Sequence, residues 1–132
     1  MIMNNKKLIT ATELEIMNLL WDLGTPLTAA EIVENSKDKA WKPSYVHLAV
    51  NSLLKKEFIE VTGFKQTTKN YARTFKPSLS KSKLIVKSIF SEYNTDDIDT
   101  FDLISEVIQR ENDSDTLKRI IDLCREKISM RE

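Results

Sequence analysis

One stretch of the chain sets its topology. In FIEVTGFKQTTKNYARTFKP, residues 58–77, two runs rich in β-branched and aromatic side chains flank the polar segment KQTTKN. Tyr71, Arg73 and Phe75 alternate with smaller groups before Pro77 ends the second run. Such a pair of runs predicts a β-hairpin, with Lys65 and Lys69 at its tip. The other apolar patterns in the chain have helical spacing, so the hairpin is a small β element in an otherwise α-helical protein.

Three helical segments precede it. In TATELEIMNLLWDL, residues 10–23, Thr10 and Glu13 have the spacing of a capping box, with Thr12 and Glu15 as a second register. Leu14, Met17, Leu20 and Trp21 then form an apolar stripe, and Gly24 offers a residue free to take positive φ at the helix end. Pro26 and Leu27 make a short extended link. Thr28 and Glu31 repeat the capping box ahead of Ile32 and Val33, which predicts a short second helix. The polar link SKDKAWK contains Trp41, expected to pack back on the core. Pro43 then opens a third helix, where a first-turn N–H would go unpaired anyway. Val46, Ala49, Val50, Leu53 and Leu54 give that helix one apolar face, and Tyr45, His47, Leu48, Asn51 and Ser52 form the other.

Three more helices are expected after the hairpin, over residues 80–93, 95–110 and 114–130, with caps in the Asp- and Ser-containing stretches at 94–97 and 112–115. Three helices followed by a hairpin is the layout of a winged helix, a variant of the helix-turn-helix. The predicted fold is therefore mostly α with a small β-wing. Residues 1–78 form a winged helix-turn-helix DNA-binding domain and residues 79–132 a C-terminal helical region. The late helices hold more apolar surface than they can hide from one another, which marks a partner surface. A second copy is the simplest partner. The dimerisation residues on this reading are Ile89, Phe90, Ile98, Phe101, Ile104, Ile108, Ile120, Ile121 and Cys124.

The formal net charge of zero conceals an asymmetry. Residues 1–90 hold 14 Lys and Arg against 8 Asp and Glu, whereas residues 91–132 hold 6 against 12. Within the first part, residues 37–90 hold 12 basic and 3 acidic groups. A basic segment beside an acidic one suggests a polyanion-binding module joined to something else. The 132 residues suit one domain with an appendage. No apolar run approaches the ~18 residues that span a bilayer, and no apolar stretch follows Lys6 and Lys7 as in a secretory leader. The one cysteine fits a reducing compartment. The expected location is the cytoplasm, with no membrane partner.

In a helix-turn-helix, residues from the first half of the second helix touch base edges in the major groove. Here those candidates are Lys42, Ser44, Tyr45, His47, Leu48 and Asn51. Asn51 suits adenine, Leu48 suits a thymine methyl, and Ser44 suits a phosphate. The reading face has no cation until Lys55. Cations surround it instead, at Lys37, Lys39, Lys42, Lys55, Lys56, Lys65, Lys69, Arg73 and Lys76. Affinity from phosphates and modest selection from bases is the expected division. Lys65, Lys69 and Arg73 on the wing are the candidate phosphate contacts, although lysines also protect edge strands from aggregation.

Several of these residues together resemble the BlaI/MecI/CopY, or penicillinase repressor, family of winged-helix repressors. They are Glu15, Ile16 and Met17 with Trp21 in the first helix, Lys55, Lys56, Phe58 and Ile59 at the end of the third, and Tyr71, Phe75 and Pro77 in the wing. The likeness runs over roughly residues 8–130, by motif to about residue 90 and by helix pattern beyond. It implies a homodimeric, sequence-specific transcriptional repressor on a palindromic operator in double-stranded DNA, controlling a resistance or stress-response gene. In the family, the positions matching His47, Leu48 and Ser52 are commonly basic, Thr and Arg; this chain departs at all three, so a different operator is expected. The β-lactam branch is cleaved at an Asn-Phe bond, which would fall near Ile104 and Ser105, and this chain has no Asn-Phe pair. A regulatory protease therefore stays open as a partner. The copper branch carries Cys-x-Cys motifs that are also missing here.

Other chemistry is weakly signalled. His47 is the only histidine and has no recognisable nucleophile or orienting carboxylate beside it in sequence. Cys124 reads as a buried structural thiol. Asp96, Asp97, Asp99 and Asp102 begin a helix, where negative charge is favoured. The chain is expected to be no enzyme and to carry no cofactor and no metal. The competing reading is a winged-helix interaction module or antirepressor, with Tyr45, His47 and Leu48 as anchors on another protein.

Overall fold

The computed structural model describes residues 9–131; Lys6 and Lys7, read above against a leader, lie outside them. The element order is α1 (Ala11–Leu23), α2 (Ala29–Glu34), a 3-10 turn at Lys37–Lys39, α3 (Pro43–Lys55), β1 (Ile59–Gln66), β2 (Tyr71–Pro77), α4 (Lys81–Glu92), α5 (Thr100–Gln109) and α6 (Ser114–Arg131). Within the described residues two compact units result, dividing between Tyr93 and Asn94.

Both capping boxes form. The Thr10 hydroxyl accepts from the Glu13 N–H at 3.2 Å while the Glu13 carboxylate accepts from the Thr10 N–H at 2.9 Å. Thr28 and Glu31 repeat the arrangement at 3.1 and 2.9 Å. The Thr12–Glu15 register is not used, because Thr10 already closes the helix start. Gly24 ends α1 at φ 65° and its N–H reaches the Leu20 carbonyl. The end of α3 uses the same geometry without a glycine. Glu57 sits at φ 65°, its N–H on the Leu54 carbonyl, with the Phe58 N–H on Leu53. This is a Schellman closure with its apolar residue, Phe58, turned into the core. Left-handed backbone costs a residue bearing a Cβ ~1–2 kcal/mol. Glu57→Gly is expected to raise stability by about 1 kcal/mol, a thermal midpoint gain of ~4–8 °C, readable by circular dichroism.

The core of the first unit gathers Ile16, Met17 and Leu20 from α1, Ile32 from α2, Val46, Val50 and Leu53 from α3, Phe58, Ile59 and Phe75 from the hairpin, and Leu84 from α4. The α3 apolar face is as its spacing predicts. The α1 stripe is rotated: Ile16 is buried where Leu14 was expected, and Leu14 is exposed. Trp21 and Trp41 are partly buried against the core, as expected for Trp41.

The hairpin is antiparallel, with Val61 opposite Phe75, Phe64 opposite Arg73 and Gln66 opposite Tyr71. A bulge between Val61 and Gly63 bends β1, and the Thr62 and Thr74 hydroxyls pair across it at 2.7 Å. Leu27 adds a one-residue bridge to β2, exchanging both hydrogen bonds with Phe75 at 3.1 and 2.8 Å.

The first unit continues through α4, past the 78/79 division expected from sequence. Leu84 is buried in its core, and the Trp21 indole N–H donates to the Leu79 carbonyl at 3.1 Å. The helix predicted from residue 95 starts at Thr100, where Asp99 caps it by accepting from the Phe101 N–H at 2.9 Å. Asp113 caps α6, accepting from the N–H and hydroxyl of Thr116 at 3.0 and 2.7 Å. Those bonds hold the Asp113 carboxyl below its usual pKa. Cys124, expected to be buried, is exposed, since α6 has no buried residue.

Candidate nucleic-acid interface

α3 is placed by its apolar face, and its solvent-exposed face follows from that. With Val46, Val50 and Leu53 buried, the helical period leaves Ser44, Tyr45, His47, Leu48, Asn51 and Lys55 in solvent. Leu48 is 69% exposed. Lys42 is the exposed N-cap residue, directly before Pro43. The structure thus brings the seven helix candidates onto one exposed surface.

Tyr45 is not a loose side chain on that surface. Its hydroxyl pairs with the Thr12 hydroxyl at 2.8 Å, and its ring lies 6.1 Å from Trp41, tilted by 58°. α1 and the link before α3 therefore fix its orientation. Thr12 had been visible only as a possible cap; the contact with Tyr45 depends on how α1 crosses α3, which no local pattern encodes.

The cations around α3 separate into engaged and available groups. Lys56 turns inward and meets the Glu13 carboxylate at 2.7 Å, with side chains only 12% and 4% exposed. Lys39 pairs with Glu15 at 3.4 Å, and Lys37 with Glu34 at 3.1 Å. Lys65 lies within β1, not at the tip, and its ammonium donates to Glu31. That bond, with the Thr28 N–H, holds the Glu31 carboxyl below its usual pKa. Lys42, Lys55, Lys69 and Arg73 make no ion pair among the described residues. Lys69 sits in the turn closed by Thr67 and Asn70, and the Arg73 guanidinium lies 5.3 Å from the Phe75 ring centroid.

A half-exposed pair such as Lys65–Glu31 contributes at most ~1 kcal/mol. Lys65→Met should therefore leave folding and the salt dependence of DNA binding nearly unaltered. Lys69→Gln should lower the log–log slope of affinity against salt by about one. Equal slopes for the two variants would show that Lys69 meets no phosphate.

Three helices, a hairpin and a bridging residue before α2, with an exposed second helix of the helix-turn-helix, define a winged-helix DNA-binding protein. The sequence profile described as "Penicillinase repressor" matches residues 9–126, and the chain belongs to that family. It is accordingly a DNA-binding transcriptional repressor of the BlaI/MecI/CopY type and not an enzyme. This favours the DNA reading over the interaction module. No curated protein matches the chain. Among solved structures, the crystal structure of the adhesin competence repressor (AdcR) from Streptococcus pyogenes is similar at 16% identity, over 91% of this chain and 80% of that one, with a TM-score of 0.41. Among the described residues no helix is long and apolar enough to cross a membrane, and no cluster of His, Cys, Asp and Glu could hold a metal.

Proposed function

We propose that the protein represses transcription in the cytoplasm as a homodimer bound to a palindromic operator, controlling a resistance or stress-response gene. The observation that carries the operator reading is the α3 surface: Ser44, Tyr45, His47, Leu48 and Asn51 stand exposed together, with Lys42 and Lys55 at its two ends. The cations hold phosphates and the face between them reads base edges. That face offers Asn51 for adenine and Leu48 for a thymine methyl, and it lacks the bidentate arginine that selects guanine. The preferred half-site is A·T-rich on this reading, with modest discrimination at each position.

The dimer reading rests on exposed apolar side chains along the late helices. Phe90, Ile98, Phe101, Ile104 and Ile121 are exposed, and Cys124 with them, while Ile89, Ile108 and Ile120 are half-buried. A two-fold dimer presents two copies of α3, and the operator repeats accordingly.

Selection of random duplexes by the purified protein, at low and moderate salt, tests this. The expected result is a palindrome whose half-site changes on substituting Leu48 or Asn51. Salt-sensitive retention without a motif would reduce the protein to a non-specific DNA binder, and no retention at either salt would remove the operator reading.

A further inference from the structure

Tyr45 stands apart from the rest of the exposed α3 surface. At about 3.6 residues per turn, Leu48 and Lys55 point directly away from the buried stripe of Val46, Val50 and Leu53. Tyr45 and Ser52 lie on one flank of the helix, and His47 lies on the other. The flank of Tyr45 faces α1: Ser52 bonds the Glu13 carboxylate, and the Tyr45 hydroxyl meets the Thr12 hydroxyl at 2.8 Å. Thr12 is half-buried in the first turn of α1. Its neighbour Glu13 pairs with Lys56, which ties that turn to the end of α3. The Tyr45 ring also lies 6.1 Å from Trp41, tilted by 58°, an arrangement favoured by aromatic pairs. Trp41 itself packs against the core. The phenol is thus held at its tip and at its ring while the residue remains 46% exposed.

A side chain on the flank of a recognition helix meets the rim of the major groove, where the sugar–phosphate strand runs. Residues nearer the apex face the base edges on the groove floor. The chemistry of the hydroxyl pair suits the rim. Each hydroxyl has one proton and two lone pairs. Their mutual bond consumes one proton, so one remains for an outside acceptor whichever way the shared proton points. A phenol O–H is the stronger donor of the two. On an anion the favoured chain therefore runs from the Thr12 O–H to the Tyr45 oxygen, and from the Tyr45 O–H to the acceptor. Each bond in such a chain strengthens the next.

We propose that the Tyr45 hydroxyl donates to one backbone phosphate oxygen at the groove rim of each half-site, and that Thr12, outside the helix-turn-helix, is the positioning residue that holds it there. The inference rests on the operator reading above. It moves Tyr45 from the base-reading residues to the contacts that fix the register of α3, and it leaves base selection to Leu48, Asn51 and their neighbours. Because the ring is already oriented in the free protein, little rotamer freedom is lost on binding.

The test measures affinity across a salt series, with ethylation interference, on the operator selected by the full-length wild type. It compares Tyr45→Phe, Thr12→Val, Thr12→Ser and the double variant Thr12→Val/Tyr45→Phe. Tyr45→Phe should bind about tenfold more weakly, as expected for one hydrogen bond to a charged acceptor. Thr12→Val should bind about threefold more weakly, the effect of one neutral hydrogen bond, and Thr12→Ser should match the wild type. The double variant should bind no more weakly than Tyr45→Phe, because without the phenol oxygen Thr12 has nothing to position. Salt slopes should agree throughout, since a neutral donor releases no counterion. Ethylation of one phosphate per half-site should hinder the wild type and cease to matter for Tyr45→Phe, whose selected base sequence should stay that of the wild type. Thermal midpoints should agree as well. If Thr12→Val melts early, Thr12→Ala takes its place in the cycle.

Tyr45→Phe binding within twofold of wild type, or hindered by the same ethylated phosphates, would overturn the inference while leaving the operator reading in place. A changed base preference in Tyr45→Phe would overturn it in favour of base reading. Losses that multiply in the double variant would overturn the positioning role of Thr12. A wild type that selects no duplex removes the operator reading and this one together.

Discussion

Phe101→Asp yields a folded monomer that has lost about a hundredfold or more in operator affinity. Phe101 lies in the first turn of α5 and is 76% exposed. Truncating it leaves no cavity in the protomer, and a carboxylate at that position favours the helix dipole. The helix should melt no earlier than in the wild type. In a dimer built on Phe101, Ile104 and Ile108, the same carboxylate is buried without a partner, at a cost of several kcal/mol. Sedimentation should show the mass halve. The affinity loss follows because two linked half-site contacts become one, and linkage multiplies affinity ~10²–10⁴-fold. Phe101→Leu should keep the dimer. A Phe101→Asp protein that still sediments as a dimer would place the interface away from α5.

Glu13→Gln is expected to lower the stability of the winged-helix unit by about 3 kcal/mol, or ~10–20 °C in thermal midpoint. Glu13 is buried at the start of α1 and accepts from the Lys56 ammonium at 2.7 Å and the Thr10 N–H at 2.9 Å. Burial pushes its carboxyl pKa up, yet hydrogen bonds from Lys56, Ser52 and the Thr10 backbone, with the Lys56 charge, outweigh burial and hold it below the usual 4.5. Gln keeps the shape and the cap but removes the negative charge that faces the Lys56 ammonium in a largely buried site. The double variant Glu13→Gln/Lys56→Met should recover most of the loss, because no charge is then left buried: the Gln amide oxygen still accepts from the Thr10 N–H and Met fills the volume of the lysine stem. The sign of the pH dependence follows from the depressed pKa. The contribution is complete above about pH 4.5, the unfolded value, and is lost as pH falls through the folded value. Wild type should therefore weaken below about pH 4.5 more steeply than Glu13→Gln, as read from urea midpoints at each pH.

The sequence by itself determined the local elements of this protein. Thr10–Glu13 and Thr28–Glu31 close helices through bonds three residues apart, so their spacing marks the helix starts, although Thr12–Glu15 shares that spacing and falls inside α1. Gly24 ends α1 because its φ is positive, and the spacing of Val46, Val50 and Leu53 decides which side of α3 faces water. The order of elements then limits the fold to a winged helix, and scattered residues such as Trp21 and Pro77 carry the family likeness. What a residue meets across tens of positions was not legible. Lys56 and Lys65 look like surface cations in the chain, and only the crossing of α1 over α3 and the placement of β1 beside α2 commit them to Glu13 and Glu31. The same applies to Thr12 on Tyr45, and to α4, which sequence assigned to the C-terminal region but whose Leu84 completes the first core. Phe64 and Tyr71 read as ordinary strand residues. The tertiary structure left them bare, because the core ends at Phe75 and the hairpin runs on past it. Hydrogen bonds between neighbours are fixed by spacing; burial and ion pairing are fixed by which surfaces meet, and that is decided only when the whole chain has packed.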